Sequence, residues 1–105
     1  MNFINPDIPS SYMPNAIGKV LYDAVLEQSA KEIVDVGILH GYSTVCLAMA
    51  AKQTGGKVYA YDLFEDYQYN APDMERTRQN FIRYGVEDVI IMEKLSLDRD
   101  WETVE

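Results

Sequence analysis

Along this chain, segments with apolar residues at helical spacing alternate with short, almost continuous apolar runs that are typical of buried strands. Residues 1–14 include three prolines and predict an irregular lead-in, after which Asn15 is placed to cap a helix. The apolar residues of that helix share one face: Ile17, Val20, Leu21, Ala24 and Val25. This stripe is expected to pack on a sheet.

The first strand is predicted at residues 33–36, where β-branched side chains form an almost continuous apolar run. Such a run is typical of a strand buried on both faces of a parallel sheet. A helix over residues 42–53, apolar nearly all round, ends at the glycine pair 55–56. A second apolar run at 57–61 then leads into Asp62. Strand, helix and strand in this order predict a parallel α/β unit.

A third helix and a third strand follow. Asp73 is placed to cap a helix that stops at Gly85, and residues 89–92 form the third apolar run. Between the second strand and this helix, residues 64–70 form a polar and aromatic loop. Because ligands of open α/β sheets bind at the carboxyl ends of strands, this loop either flanks a ligand or folds back on the core.

Two glycines punctuate the connection between the first strand and the second helix. Gly37 lies where the strand must turn, and Gly41 lies where the helix begins, so the backbone bends there and a ligand has room to approach it. The first amides of a helix have no partner within it, which makes this turn a seat for a polar or charged small molecule. Asp62 follows Gly41 by about twenty residues, the separation at which nucleotide-binding α/β folds place a ribose-binding acid.

Composition narrows the classes of function. The 105 residues predict one domain that is short for a complete doubly wound enzyme. A net charge of −8 would repel a phosphate backbone, so nucleic acid is not an expected partner. No apolar run approaches the roughly 20 residues that cross a bilayer, and the first residues do not predict a secretory signal. The single cysteine fits a reducing compartment, and a cytoplasmic protein is expected.

Three segments resemble one known family. Residues 35–44 read acid-x-Gly-x-x-x-Gly-x-Ser-Thr and resemble the first motif of the small-molecule branch of class I S-adenosylmethionine-dependent methyltransferases. Residues 59–63 resemble the second motif, and residues 90–96 resemble the third strand and its exit. The resemblance implies a truncated Rossmann-like methyltransferase domain over residues 15–105. The implied fold is an α/β three-layer half-domain, with a parallel sheet of about three strands in the order 3-2-1 flanked by helices.

The same resemblance implies S-adenosylmethionine as cofactor and a small molecule as methyl acceptor. The cofactor-binding residues that it implies are Asp35, Gly37, Ile38, Gly41, Ser43, Asp62, Leu63 and Ser96. Asp35 would anchor the amino end of the methionine moiety, Asp62 would accept hydrogen bonds from the ribose diol, and Leu63 would lie against the adenine. Ser96 would lie near the adenine amino group, although Lys94-Leu95 stands where the family usually has Gly-Asp.

Several of these side chains have plain structural alternatives. Asp35 is equally explained as a strand carboxylate bonded to nearby amides, and Ser43 and Thr44 either donate to a carboxylate or cap the helix. His40 has no carboxylate partner in the sequence that would make it a base, and Cys46 is expected to be a core residue. No spacing of acidic residues or histidines predicts a metal site, and the catalytic residues stay unidentified.

Two classes of function therefore follow. The first is the cofactor-binding half of a methyltransferase, and the second is a non-catalytic interaction or regulatory module that has lost the cofactor. A nicotinamide-dependent Rossmann half is weaker, because the compact Gly-x-Gly-x-x-Gly spacing is absent. In the resembled fold the first strand is central, so half a fold leaves it as an open edge, and a homodimer or a partner chain is expected to pair with that edge.

Overall fold

A computed structural model describes residues 4–8, 17–36, 40–62 and 74–94 of the 105-residue chain. Helices and strands alternate in it, with a short 3-10 turn before the last strand. The elements are α1 (Ile17–Gln28), β1 (Glu32–Val36), α2 (Tyr42–Thr54), β2 (Lys57–Asp62), α3 (Met74–Arg83), the 3-10 turn (Glu87–Val89) and β3 (Ile90–Lys94). None of the helices in these segments has the length and apolarity needed to span a bilayer.

The three strands form one parallel sheet in the order β1-β2-β3. This confirms the predicted α/β fold and the predicted 3-2-1 order. The register aligns Val34 with Tyr59 and Tyr59 with Ile91 across the sheet. Since parallel neighbours are joined by right-handed crossovers, α2 and α3 lie on the same face.

The predicted helix ends are close to those observed, and the third strand is shifted. Gly55 adopts a left-handed φ of 76° and caps α2 by donating its N–H to the carbonyl of Ala51. Val89 was predicted to open the third strand, but it closes the 3-10 turn and donates its N–H to the Val86 carbonyl. The strand begins one residue later and extends to Lys94, because that residue still pairs with β2.

The core lies between the sheet and α2. Its fully buried members come from α2, from β2 and from the end of α3, with Ile8 of the lead-in added to them. They are Ile8, Tyr42, Val45, Cys46, Ala48, Ala51, Val58, Ala60, Phe81 and Val86. The prediction that Cys46 is a buried core residue is confirmed.

The predicted packing of α1 is only partly confirmed, because Val25 of the predicted stripe is buried in a cluster that Ile33 of β1 joins. This helix packs on α2 through Gly18, Tyr22 and Val25, whereas Val20 of the predicted stripe is 63% exposed. The reason lies at Gly18, where an added Cβ would come within 2.6 Å of the Cys46 sulfur. The two helices approach too closely for a side chain there, so α1 packs mainly on α2.

The prediction that β1 is buried on both faces is wrong. Ile33 and Asp35 face α2 and are half-buried, but Val34 is 62% exposed and Val36 is 50% exposed. Because α2 and α3 lie on one face and α1 packs on α2, no helix among the described residues covers the other face. The apolar side chains of Val34 and Val36 therefore lie on an uncovered face of the sheet, and β1 is an edge strand among the described residues.

Candidate cofactor-binding site

The start of α2, at Gly41, is fixed by its backbone conformation and by its contacts with α3. Gly41 is the N-cap of α2 and has a left-handed φ of 93°, and its carbonyl accepts the first helical hydrogen bond from Val45 at 2.9 Å. An added Cβ on Gly41 would lie 2.6 Å from the Phe81 ring and 3.3 Å from the methyl group of Thr77. Glycine is therefore required here both by backbone conformation and by the closeness of α3.

Asp35 is fixed at the carboxyl end of β1 by two hydroxyl groups from the first turn of α2. The Ser43 Oγ donates to Asp35 Oδ2 at 2.9 Å, and the Thr44 Oγ1 donates to the same oxygen at 2.8 Å. Thr44 is fully buried and Asp35 is half-buried. Neither hydroxyl caps the helix, because the cap residue is Gly41 and no side chain bonds to it.

This arrangement shows which of the two alternatives holds for the hydroxyls of Ser43 and Thr44. Ser43 and Thr44 do donate to a carboxylate, but that carboxylate is Asp35 of the same chain. A negative charge is thereby held beside the positive end of the α2 dipole, which favours it. The result is a fixed acceptor next to helix amides that have no partner within the helix.

Helix α3 also contributes to the turn, which sequence reasoning missed. The side-chain amide of Asn80 donates to the main-chain carbonyl of His40 at 3.0 Å, and Phe81 and Thr77 pack against Gly41. The only sequence signal was the spacing of Thr77, Asn80 and Phe81, which places them on one helical face. His40 itself is exposed.

Asp62 ends β2 at the same edge of the sheet. Val36, the last residue of β1, pairs with Tyr61, so the backbone of Asp62 lies at the same edge as the end of β1. The structure thus brings Asp35, Gly41, Ser43 and the Asp62 backbone to one edge. The Asp62 side chain is outside what the structure describes, as are all of Gly37, Ile38, Leu63 and Ser96 and the 64–70 loop.

The inner side of α2 carries no reactive group. Burial raises the pKa of the Cys46 thiol to about 11 and the pKa of the Tyr42 hydroxyl to about 12. The Tyr42 hydroxyl accepts the Gly18 N–H at 3.1 Å and donates to Asn5 at 3.0 Å. Both groups are therefore protonated near neutral pH and serve packing between α1, α2 and the lead-in.

Comparisons with solved structures connect this geometry to a group of enzymes, although no protein-family model matches the chain. Cofactor-bound Rv0187 from MTB superposes with a TM-score of 0.74 and 26% identity, over 93% of this chain and 42% of that one. The O-methyltransferase of Bacillus cereus, in complex with SAH, gives 0.69 and 28%, over 90% and 40%.

A third solved structure has lower identity and the same fold. TomG of Streptomyces achromogenes, an O-methyltransferase in complex with SAM, gives a TM-score of 0.74 at 18% identity, over 92% of this chain and 40% of that one. The chain therefore spans about 40% of the length of these structures. Fold, site geometry and these likenesses together show that the chain resembles part of a class I S-adenosylmethionine-dependent methyltransferase.

Proposed function

We propose that this chain is the S-adenosylmethionine-binding part of a class I methyltransferase, which transfers a methyl group to a small-molecule acceptor when the fold is completed. The observation that carries the proposal is the β1–α2 turn. There, Asp35 is clamped by Ser43 and Thr44 beside a left-handed Gly41, at the same edge as Asp62. The O-methyltransferases of Streptomyces achromogenes and Bacillus cereus, in complex with SAM and SAH, share this fold.

The residues of the turn fit the charges of the cofactor. An amino acid moiety carries an ammonium and a carboxylate, and the site offers a fixed carboxylate at Asp35 beside the positive end of the α2 dipole. Asp62 would accept hydrogen bonds from a ribose diol. S-adenosylmethionine, when bound, supplies an electrophilic methyl group on a sulfonium.

The part of this chain in the reaction is to bind and orient. Methyl transfer is an in-line displacement, and holding the donor in one orientation lowers the entropic part of the barrier. The β1–α2 edge would orient the donor in this way. Because the chain spans only about 40% of the length of the solved structures that it matches, we propose that catalysis takes place in a larger assembly that includes it.

A non-catalytic interaction module is the second candidate. It is favoured by Lys94-Leu95, which departs from the family pattern, and by the hydroxyls of Ser43 and Thr44, which are already used within the chain. Under this reading the Asp35 clamp serves only to join β1 to α2.

Thermal unfolding with added ligands separates the two candidates. Because a ligand that binds only the folded state stabilises it by RT ln(1 + [L]/Kd), S-adenosylhomocysteine or S-adenosylmethionine at about 100 times Kd adds about 2.7 kcal/mol and raises Tm. A nicotinamide dinucleotide at the same concentration serves as the control and leaves Tm unchanged. An unchanged Tm with every ligand, from protein with a cooperative transition, would favour the interaction module.

We further propose that the open side of β1 is covered by a fold-completing polypeptide segment. Parallel sheets in known proteins have both faces covered, and the chain spans only about 40% of the neighbours' length. A second copy is disfavoured, because each copy carries a net charge of −8. The segment that fits brings a strand to the β1 edge and an apolar helical face over Val34, Val36 and Ile91, which are exposed.

We place the protein in the cytoplasm, since its one cysteine is unpaired.

A further inference from the structure

We propose that Asn80 of α3 is a positioning residue for the cofactor site. Through the main chain of His40, it holds Gly41 and the start of α2 in the conformation that binds the cofactor. This inference rests on the proposed function. Asn80 acts through the turn and is not assigned a contact with the cofactor itself.

The Asn80 amide acts next to Gly41, the residue whose backbone conformation is least restricted by its own side chain. Glycine adopts positive and negative φ almost equally, so the left-handed φ of 93° at Gly41 is not selected by the residue itself. The carbonyl of His40 is the group immediately before Gly41, and the Asn80 amide donates to it at 3.0 Å. This hydrogen bond fixes the peptide group before Gly41. The peptide group after Gly41 is fixed by the Val45 N–H, which donates to the Gly41 carbonyl at 2.9 Å.

The other two residues of the α3 face play a different part. Thr77 and Phe81 are each 1% exposed and pack against Gly41, so they belong to the core, and their removal would leave a cavity. Asn80 is only half-buried, and its amide directs one hydrogen bond to the turn. The polar contact can therefore be removed without opening the core.

Loss of this contact is expected to lower affinity. A turn that samples several conformations binds with an apparent Kd that is larger by the inverse of the competent fraction. A neutral hydrogen bond contributes about 1 kcal/mol, which changes the ratio of competent to incompetent conformations about fivefold and the competent fraction by at most that factor. S-adenosylhomocysteine should therefore bind more weakly without the Asn80 amide, by up to about fivefold.

The test is calorimetric titration of S-adenosylhomocysteine into the unmodified chain, Asn80→Leu and Asn80→Ala. Leucine is close to asparagine in shape and favours helix more strongly, so Asn80→Leu should keep or raise Tm while it loses the donor. Gln79→Ala is the matched control, because Gln79 neighbours Asn80 but donates to Glu75 on the outside of α3.

The expected result is weaker binding by both Asn80 variants, with Tm unchanged or higher in Asn80→Leu and with the affinity of Gln79→Ala unchanged. If Asn80 had only a structural role, its replacement would not lower the affinity for S-adenosylhomocysteine while stability is kept. Binding by Asn80→Leu as tight as that of the unmodified chain would overturn the positioning role alone. Absence of binding by the folded, unmodified chain would overturn the proposed function and this inference with it.

Discussion

At the scale of single residues, one glycine and one aspartate give the turn its shape, and the sequence indicated both for partly different reasons. Gly41 was predicted to give a ligand room, and its position against Phe81 adds a packing requirement that the one-dimensional pattern does not contain. Asp35 was predicted to meet a cofactor or backbone amides, and it meets two hydroxyls eight and nine residues further along. Such pairs depend on how α2 is placed on the sheet, which a linear pattern does not specify.

Replacing Gly41 by alanine should destabilise the protein by about 2 to 4 kcal/mol. The left-handed φ costs a residue with a Cβ about 1 kcal/mol, and the new atom would also overlap the Phe81 ring. Gly85→Ala is the matched control, since Gly85 has a φ of 68° but nothing within 4 Å of an added Cβ. Urea denaturation of both variants measures the difference, and equal losses at the two positions would contradict the packing requirement.

Replacing Asp35 by alanine should cost about 1 to 3 kcal/mol of folding stability, because the buried Thr44 hydroxyl then loses its acceptor. Asp23→Ala is the control, since Asp23 makes an exposed ion pair with Lys19 at 2.6 Å and such pairs contribute at most about 1 kcal/mol. Chemical denaturation again gives the values. If both variants lose the same stability, the hydroxyl clamp has no structural weight.

At the scale of elements, the sequence predicted the features that local signals determine, and it did not predict those that depend on contacts between elements. The strand order and helix limits were predictable, because apolar runs, the Gly55-Gly56 stop and a parallel α/β alternation are local signals. The packing of α1 was not, since it depends on the fit of Gly18 against Cys46 on another helix. The third strand was misplaced by one residue, because Val89 reads as apolar whether it lies in a strand or in a 3-10 turn.

The packing of α1 on α2 should weaken as pH rises through the range in which Cys46 ionises in the unfolded chain. The folded pKa of this thiol is raised from 9.0 to about 11, so from pH 9 to 11 the unfolded state releases the proton first and is stabilised. The contribution of Cys46 to the free energy of unfolding is therefore complete below pH 9 and decreases toward pH 11.

The measurement is the unfolding free energy of the unmodified chain minus that of Cys46→Ala, taken at pH 8, 9, 10 and 11. This difference cancels the titration of groups that do not interact with Cys46. Tyr42 does interact with Cys46, which raises the Tyr42 pKa further, so its titration adds to the expected fall. It should fall steadily above pH 9. A difference that stays constant to pH 11 would show that the thiol is not protected by burial.

At the scale of the whole molecule, the described helices cover one face of the sheet and leave the other face of β1 open. Sequence reasoning predicted an open edge at this strand from the half-length resemblance, and the structure adds an uncovered face that includes Val34 and Val36. The length of the neighbours, of which this chain spans about 40%, supports a covering segment that the proposed function also requires.

A chimera tests that covering directly. The chain is fused to the portion of the Bacillus cereus O-methyltransferase that has no counterpart in it. Val34→Thr, which keeps the shape and strand preference of valine, should then destabilise the chimera by about 1 to 2 kcal/mol more than it destabilises the isolated chain. Val20→Thr on exposed α1 should have equal, small effects in both.

Two results would contradict the covering segment. One is a Val34→Thr effect that is the same in the chimera and in the isolated chain. The other is a stable dimer of the isolated chain in analytical ultracentrifugation that Val34→Lys dissociates, which would assign the surface to a second copy.

The central claim is that this chain binds S-adenosylmethionine through the edge formed by the β1–α2 turn and Asp62. Calorimetric titration of S-adenosylmethionine and S-adenosylhomocysteine into the unmodified chain, Asp62→Ala and the control Asp23→Ala tests it most directly. The account predicts micromolar binding that Asp62→Ala weakens by about 1 to 3 kcal/mol, the cost of an unpaired buried partner, and that Asp23→Ala leaves unchanged. No heat of binding with either ligand, from chain shown to be folded, would contradict the claim and leave the methyltransferase likeness as one of fold alone.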